Sequence, residues 1–317
     1  DCHRVGGSAP MPLSTYRDVR PYVHDVAEVA WDGMMPPWRE DGHGVELRGA
    51  RRLTPTERSV LVRWAQGGAP EGPPSTSTPV DVATRPSRAG TAPAAFSVSA
   101  TLPEVPAFAA PAEVSVEAVF DGPEALSVRA VAATTDADDV VRRIVVRRLR
   151  DGALLAVRTP EGPSFEAPPG SAWRLSPGDR LVIDAFYRPQ GLARRPTATI
   201  DFFAADGADL STPEPRTIVL ESVEGVVPAG APGEARIVER VVDRNVKVVA
   251  MFPDLGRHGA SAQVEATAPK GKTRRLAGTM HWDPRLRDVW APTRPFPLSA
   301  GTTLRFVAVY DNSEAAR

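Results

Sequence analysis

Cys2 and His3 are adjacent, and Gly6-Gly7 follow closely. A thiol next to an imidazole is what covalent haem c attachment requires. The thiolate adds to a haem vinyl group, and the next histidine ligates the iron. A thioether on the opposite face would raise the reduction potential and fill the position oxygen needs. Met35 is the candidate for that role, because Pro36 and Pro37 hold its loop extended; Met34 is the alternative. The same residues also fit a plainer account, a lone buried cysteine beside a surface histidine. His24 and His43 fall at no ligand position and suit a solvated helix face and a solvated loop.

Other chemistry is sparsely supplied. From residue 73 onward the imidazole and thioether donors are His258, His281, Met251 and Met280. Asp254 lies four residues before His258, and Asp283 and Asp288 follow His281. A metal cluster needs three or more converging donors, and aspartates in turn-forming stretches have a structural explanation. No nucleophile, histidine and acid occur at telling spacing. Gly6-Gly7 lacks the preceding strand of a dinucleotide loop. Trp173, Trp282 and Trp290 read as packing aromatics.

The elements that would position these groups fall into two regimes. In the front part, Thr15 caps a short turn. Tyr22, Val23, Val26, Ala27, Ala30 and Trp31 then recur at helical spacing. Thr54-Pro55-Thr56-Glu57 is a capping box, Val60, Leu61 and Trp64 supply an apolar stripe, and Gly67-Gly68 stops the helix. After a Pro/Ser/Thr-rich stretch the apolar period becomes two. Runs such as 114–119, 126–131, 140–146, 181–187, 197–203, 237–242, 246–252 and 304–310 are β-branched or aromatic and separated by turn clusters, which predicts antiparallel sandwiches. The expected fold is multidomain: a small all-α domain over 1–70, a linker over 71–94, and two all-β, jelly-roll-like sandwiches over 95–220 and 221–317. The start at Asp1 and the end at Arg317 suggest a chain truncated at both ends.

The chain has 317 residues, 42% of them hydrophobic, which is enough for packed cores. Lys and Arg number 38 against 39 Asp and Glu, a net charge of −1. That balance argues against a nucleic-acid surface. No apolar run reaches the ~18–20 residues that span a bilayer. One cysteine excludes an internal disulfide.

Four motifs from Cys2 to Gly72 carry a resemblance: Cys2-His3-x-x-Gly6-Gly7, Tyr16-x-Asp18-x-Arg20-Pro21, Met35-Pro36-Pro37-Trp38, and Trp64 leading to Gly68-Ala69-Pro70-Glu71-Gly72. In that order they are similar to small bacterial cytochrome c domains. The resemblance implies a covalent haem c on Cys2, with His3 as proximal and Met35 as distal iron ligand, and a location in the periplasm or otherwise outside the cytoplasm. A first cysteine three residues before Cys2 belongs to the family pattern and is not in the chain.

The region 96–313 resembles, less specifically, the β-sandwich pair of copper type II, ascorbate-dependent monooxygenases of the peptidylglycine α-hydroxylating class. The framework segments are 128–131, 140–145, 181–189, 227–230, 252–259 and 310–313. The resemblance would place a His-His pair on Arg142-Arg143, two further histidines on Phe186 and Arg188, and a His-x-His pair on Asp254 and Gly256. Two histidines cannot furnish two copper centres of imidazole and thioether donors, and a guanidinium never becomes a ligand. The expectation is therefore a haem c electron-transfer protein fused to a copper-free scaffold or docking pair, with an unnamed redox partner. The alternatives are an active copper monooxygenase fed by the haem domain, and a non-redox surface or secreted binding protein.

Overall fold

The structure is a computed structural model. It describes residues 3, 9, 11–35, 40–48, 53–73, 93–159, 165–205, 207, 211–221, 226–283 and 289–313. Contacts between Cα atoms gather the chain into two compact units. The first comprises Asp1–Pro12 with Ser75–Val219, and the second Leu13–Pro74 with Leu220–Arg317.

The first unit is built on two antiparallel sheets. One has the order β1 (Phe96–Thr101), β9 (Thr197–Ala204), β3 (Leu126–Thr135), β6 (Phe165–Glu166), with β7 (Trp173–Leu175) also on β3. The other runs β2 (Ala112–Phe120), β8 (Asp179–Tyr187), β4 (Val141–Arg148), β5 (Ala153–Arg158). Alternation decides which side chains enter the core, because successive residues of a strand point to opposite faces. In β8, Leu181, Ile183, Ala185 and Tyr187 are buried, while the residues between them are not. In β9, Ala198, Ile200 and Phe202 are buried. Phe120 stacks edge-on against both Phe96 and Phe202, with centroids 4.9 and 5.6 Å apart. Each such side chain removed from water contributes roughly 1.5–3 kcal/mol, so this continuous core holds the sandwich together.

The second unit carries the sheet β10 (Glu234–Val241), β15 (Thr303–Tyr310), β12 (Gly259–Thr267), β13 (Thr273–Thr279), and the pair β11 (Val246–Val248) with β14 (Phe296–Leu298). Its helices are α1 (Tyr16–Val19), a 3-10 turn at Arg20–Tyr22, α2 (Val23–Trp31) and α3 (Pro55–Gln66). Thr15 with Asp18, and Thr54 with Glu57, form reciprocal capping boxes that satisfy the first free backbone N–H groups. Val23, Ala65 and Ala69 make the small core between α2 and α3. The Tyr16 hydroxyl donates to the Ala69 carbonyl at 2.8 Å and the Trp64 indole to that of Pro70 at 3.0 Å.

The expected all-α cytochrome-like domain is not formed. Strands in four antiparallel sheets dominate the described residues, and the front segment from Leu13 to Pro74 belongs to the second β unit. Its extended part lies along β13: Asp41 N–H donates to the Gly278 carbonyl at 2.9 Å and Val45 N–H to that of Leu276 at 2.7 Å. Arg48 N–H reaches the Ala291 carbonyl, Thr293 N–H reaches that of Glu46, and Leu47 is buried with Ala277 and Trp290. Asp41 pairs with Arg275. The physical reason lies in the edge of β13. Its unpaired backbone groups require partners, and residues 41–45 supply them.

Candidate functional site

The positions to which the monooxygenase resemblance directs attention in the first unit lie on three neighbouring strands. A bulge between Val141 and Arg143 shifts the register of β4, so that Arg143 stands opposite Phe186 on β8. Across β8, Phe186 stands opposite Glu113 on β2. Glu113, Phe186 and Arg143 thus form one row across the sheet. The Arg143 guanidinium lies 5.5 Å from the Phe186 ring centroid and reaches over it to an ion pair with Glu113. Arg143 is 1% exposed, Glu113 39%. A guanidinium this deeply placed must be paired, and the ring face below it adds cation–π attraction.

The neighbouring positions serve the backbone. Arg142 donates to the Asp138 carbonyl at 3.2 Å, and Arg188 N–H donates to that of Val140 at 2.8 Å. Tyr187 points to the core side and its hydroxyl donates to the Pro103 carbonyl at 3.1 Å; burial pushes its phenol up to about 12. Further along β4, Arg148 is also 1% exposed. It binds Asp151, Glu214 at 2.6 Å and the Arg174 carbonyl, stapling the β4–β5 turn to β7 and to residue 214. Burial works against the Arg148 charge, but the two carboxylates outweigh it and raise its pKa. Partial burial pushes the Asp151 carboxyl upward, but Arg148 and the Ala153 amide outweigh it and hold the group below the usual carboxylate range.

In the second unit, Asp254 accepts the Gly256 N–H at 3.1 Å, and the Gly256 carbonyl accepts the Trp282 indole N–H at 2.9 Å. Gly256 has φ +64, a left-handed conformation that side-chain-bearing residues rarely adopt. Arg236 lies 5.2 Å from the centroid of Tyr310. Burial raises the Tyr310 phenol, Arg236 opposes that shift, and Asp254 adds to it. Arg257 donates to His258 Nε2 at 2.8 Å. His281 is exposed, and its N–H bonds Thr279. Trp173 and Trp290 are core residues, and Trp282 packs on Leu255. Asp288 lies outside the described residues.

The haem assignment is corrected by this arrangement. Cys2 lies outside the described residues, and the chain holds one cysteine. The imidazole Nδ1 of His3 is 2.9 Å from the Met11 carbonyl. Met34 and Met35 are both exposed after the end of α2. Among the described residues no three His, Cys, Asp or Glu side chains converge to hold a metal. A covalent haem c on Cys2 with His3 and Met35 as axial ligands, the cytochrome designation and an electron-transfer role therefore find no support. Among the described residues, α2 and α3 pack on each other and on no bundle that could enclose a porphyrin.

Copper fits no better. At Arg143, Phe186, Arg188, Asp254 and Gly256 the only donor side chain is the Asp254 carboxylate, already bonded to a backbone amide, whereas copper of this class is held by imidazole and thioether. Sequence reasoning flagged Arg143 and Phe186, and Tyr310 as part of a framework segment, but not Glu113 or Arg236. Those partners are far apart in the chain, and only the register of β2, β8 and β4, or of β10 and β15, brings them together.

No family model matches the chain, and no curated protein does. One solved structure, described as that of a putative alpha-L-fucosidase from Bacteroides ovatus, overlaps 65% of this chain and 35% of its own, at 10% identity and a TM-score of 0.19. This chain spans about a third of that protein's length, and a likeness so slight bears on neither fold nor activity. Among the described residues no helix is long and apolar enough to cross a membrane.

Proposed function

We propose that the chain is a non-redox binding or scaffold protein. In this reading its β units share ancestry with the copper-monooxygenase sandwich pair, and the ligand positions have been refilled by structural contacts. The observation that carries the reading is the row Glu113, Phe186, Arg143. Two positions expected for copper-binding histidines stand side by side on β4 and β8, and they now hold a buried guanidinium stacked on a phenyl ring and closed by a carboxylate. Neither the guanidinium nor the phenyl ring offers a lone pair to a soft metal, and the carboxylate is engaged by the guanidinium.

The function is tested by loading the full chain with copper, dialysing it and measuring metal per chain. Less than about 0.1 equivalent is expected, since the ligand set is absent. Two equivalents retained, with ascorbate-dependent oxygen consumption, would overturn the proposal.

A further inference from the structure

At one end of the first unit the β1–β2 and β8–β9 connections are laced together. Leu102 N–H donates to the Pro196 carbonyl at 2.8 Å, Val105 and Arg194 exchange backbone hydrogen bonds at 2.7 and 3.0 Å, and Gly191 N–H reaches the Ala107 carbonyl at 3.1 Å. Pro103, Pro106, Pro111, Pro189 and Pro196 stiffen both connections. Phe108 and Leu192 adjoin the last of these bonds in the chain, yet they are 91% and 65% exposed. Residues 108–112 and 190–195 are exposed throughout, so this end is a projection and not a cleft. Neither 105–112 nor 189–193 contains a charged residue, whereas Glu104, Glu113, Arg188, Arg194 and Arg195 flank them.

We infer that this end docks the first unit on a lipid bilayer, with Phe108 and Leu192 entering the boundary between headgroups and acyl chains while the backbone and the flanking charges stay at headgroup depth. A phenylalanine left in water on hydrogen-bonded, proline-stiffened connections is held ready for burial at little ordering cost. Gln190 is the one polar side chain in the two charge-free stretches. A protein partner is fixed in orientation by polar groups around its apolar contacts, whereas an apolar tip above a charged belt is what interfacial insertion requires. Charge favours an anionic surface. Arg194 is balanced by Asp139 at 3.5 Å and Arg195 by Glu104 at 3.3 Å, and Glu113 is held by Arg143. The exposed Arg188 side chain meets no carboxylate among the described residues, which leaves its guanidinium for a lipid phosphate.

Flotation of the full chain with phosphatidylcholine vesicles containing about a third phosphatidylserine tests this. Co-flotation is expected. Phe108→Asp and Leu192→Asp should each weaken partitioning at least about tenfold, since each withdraws an apolar side chain from the bilayer. Vesicles of phosphatidylcholine alone should bind roughly fivefold less tightly, and Arg188→Gln should erase that difference. Circular dichroism confirms folding of each variant. An environment-sensitive dye on Phe108→Cys in a Cys2→Ser background should shift to the blue with vesicles. The same dye on Glu124→Cys, exposed beyond the far end of β2, should not. Absence of flotation, flotation indifferent to Phe108→Asp, equal binding to both vesicles, or a dye at 108 that stays in water would each overturn the inference. So would self-association in sedimentation velocity that Phe108→Asp abolishes, because a second copy would then be the occupant.

Discussion

Gly44→Ala should detach the front segment from the second unit. A Cβ at Gly44 would sit 2.5 Å from the Leu276 carbonyl carbon and 2.9 Å from the Ala277 Cα, and nearer still to the Leu276 oxygen. These are backbone atoms of β13, so no rotamer change relieves the clash, and residues 40–48 must lift away. Four backbone hydrogen bonds then go, from Asp41, Val45, Arg48 and Thr293, each worth about 1 kcal/mol net. Leu47, at 4% exposure, leaves its site beside Trp290, a further loss of roughly 1.5–3 kcal/mol. Partial relaxation returns some of this, so we expect a destabilisation of about 3–6 kcal/mol. The assay is urea unfolding followed by tryptophan fluorescence, with hydrogen exchange at the Val45 amide. Trp290 reports on the site directly. An unchanged midpoint together with full Val45 protection would refute the packing of this segment on β13, and with it the case against a free-standing helical domain.

Other outcomes follow from the same contacts. Arg148→Met should destabilise the first unit by about 1–3 kcal/mol, because the Arg174 carbonyl and the two carboxylates lose a shared partner while Asp151 and Glu214, 45% and 30% exposed, regain water; denaturant titration measures it. The Tyr187 phenol, raised to about 12 from 10, binds its proton more tightly when folded. Its contribution is therefore full below pH 10 and is lost as pH rises towards 12, by up to about 3 kcal/mol. Tyr187→Phe should flatten that alkaline limb of the stability profile, and an unchanged limb would discard the cause assigned.

Where local rules and tertiary needs agree, the fold is legible in the residues themselves. Thr54 with Glu57 closes a capping box, and β8 alternates buried and outward residues as its Leu181, Ile183, Ala185, Tyr187 pattern demands. Strands poor in β-branched residues stay hidden. β12, with Ala260, Ala262 and Ala266 among Ser and Gln, and β13, with Arg274 and Arg275, become strands only because β15 and residues 41–45 supply their hydrogen bonds. Helical periodicity misleads in the front segment. Trp31 and Val60 sit on the apolar stripes yet are 63% and 52% exposed, since the segment's burial is decided by Leu47 at β13 and not by a bundle. The candidate site shows the same division. The loss of histidines is visible at Arg143 and Phe186, but the clasp with Glu113 depends on a bulge in β4 that no local pattern announces.

The central claim is that structural ion pairs occupy what would be metal-ligand positions. It is tested most directly by the melting temperature of the full chain with and without excess copper. A metal that binds the native state at a hundred times its dissociation constant adds about 2.7 kcal/mol. We predict a shift of less than about 1 °C, far below what such linkage gives at typical unfolding entropies; a rise of several degrees, abolished by chelator, would contradict the account.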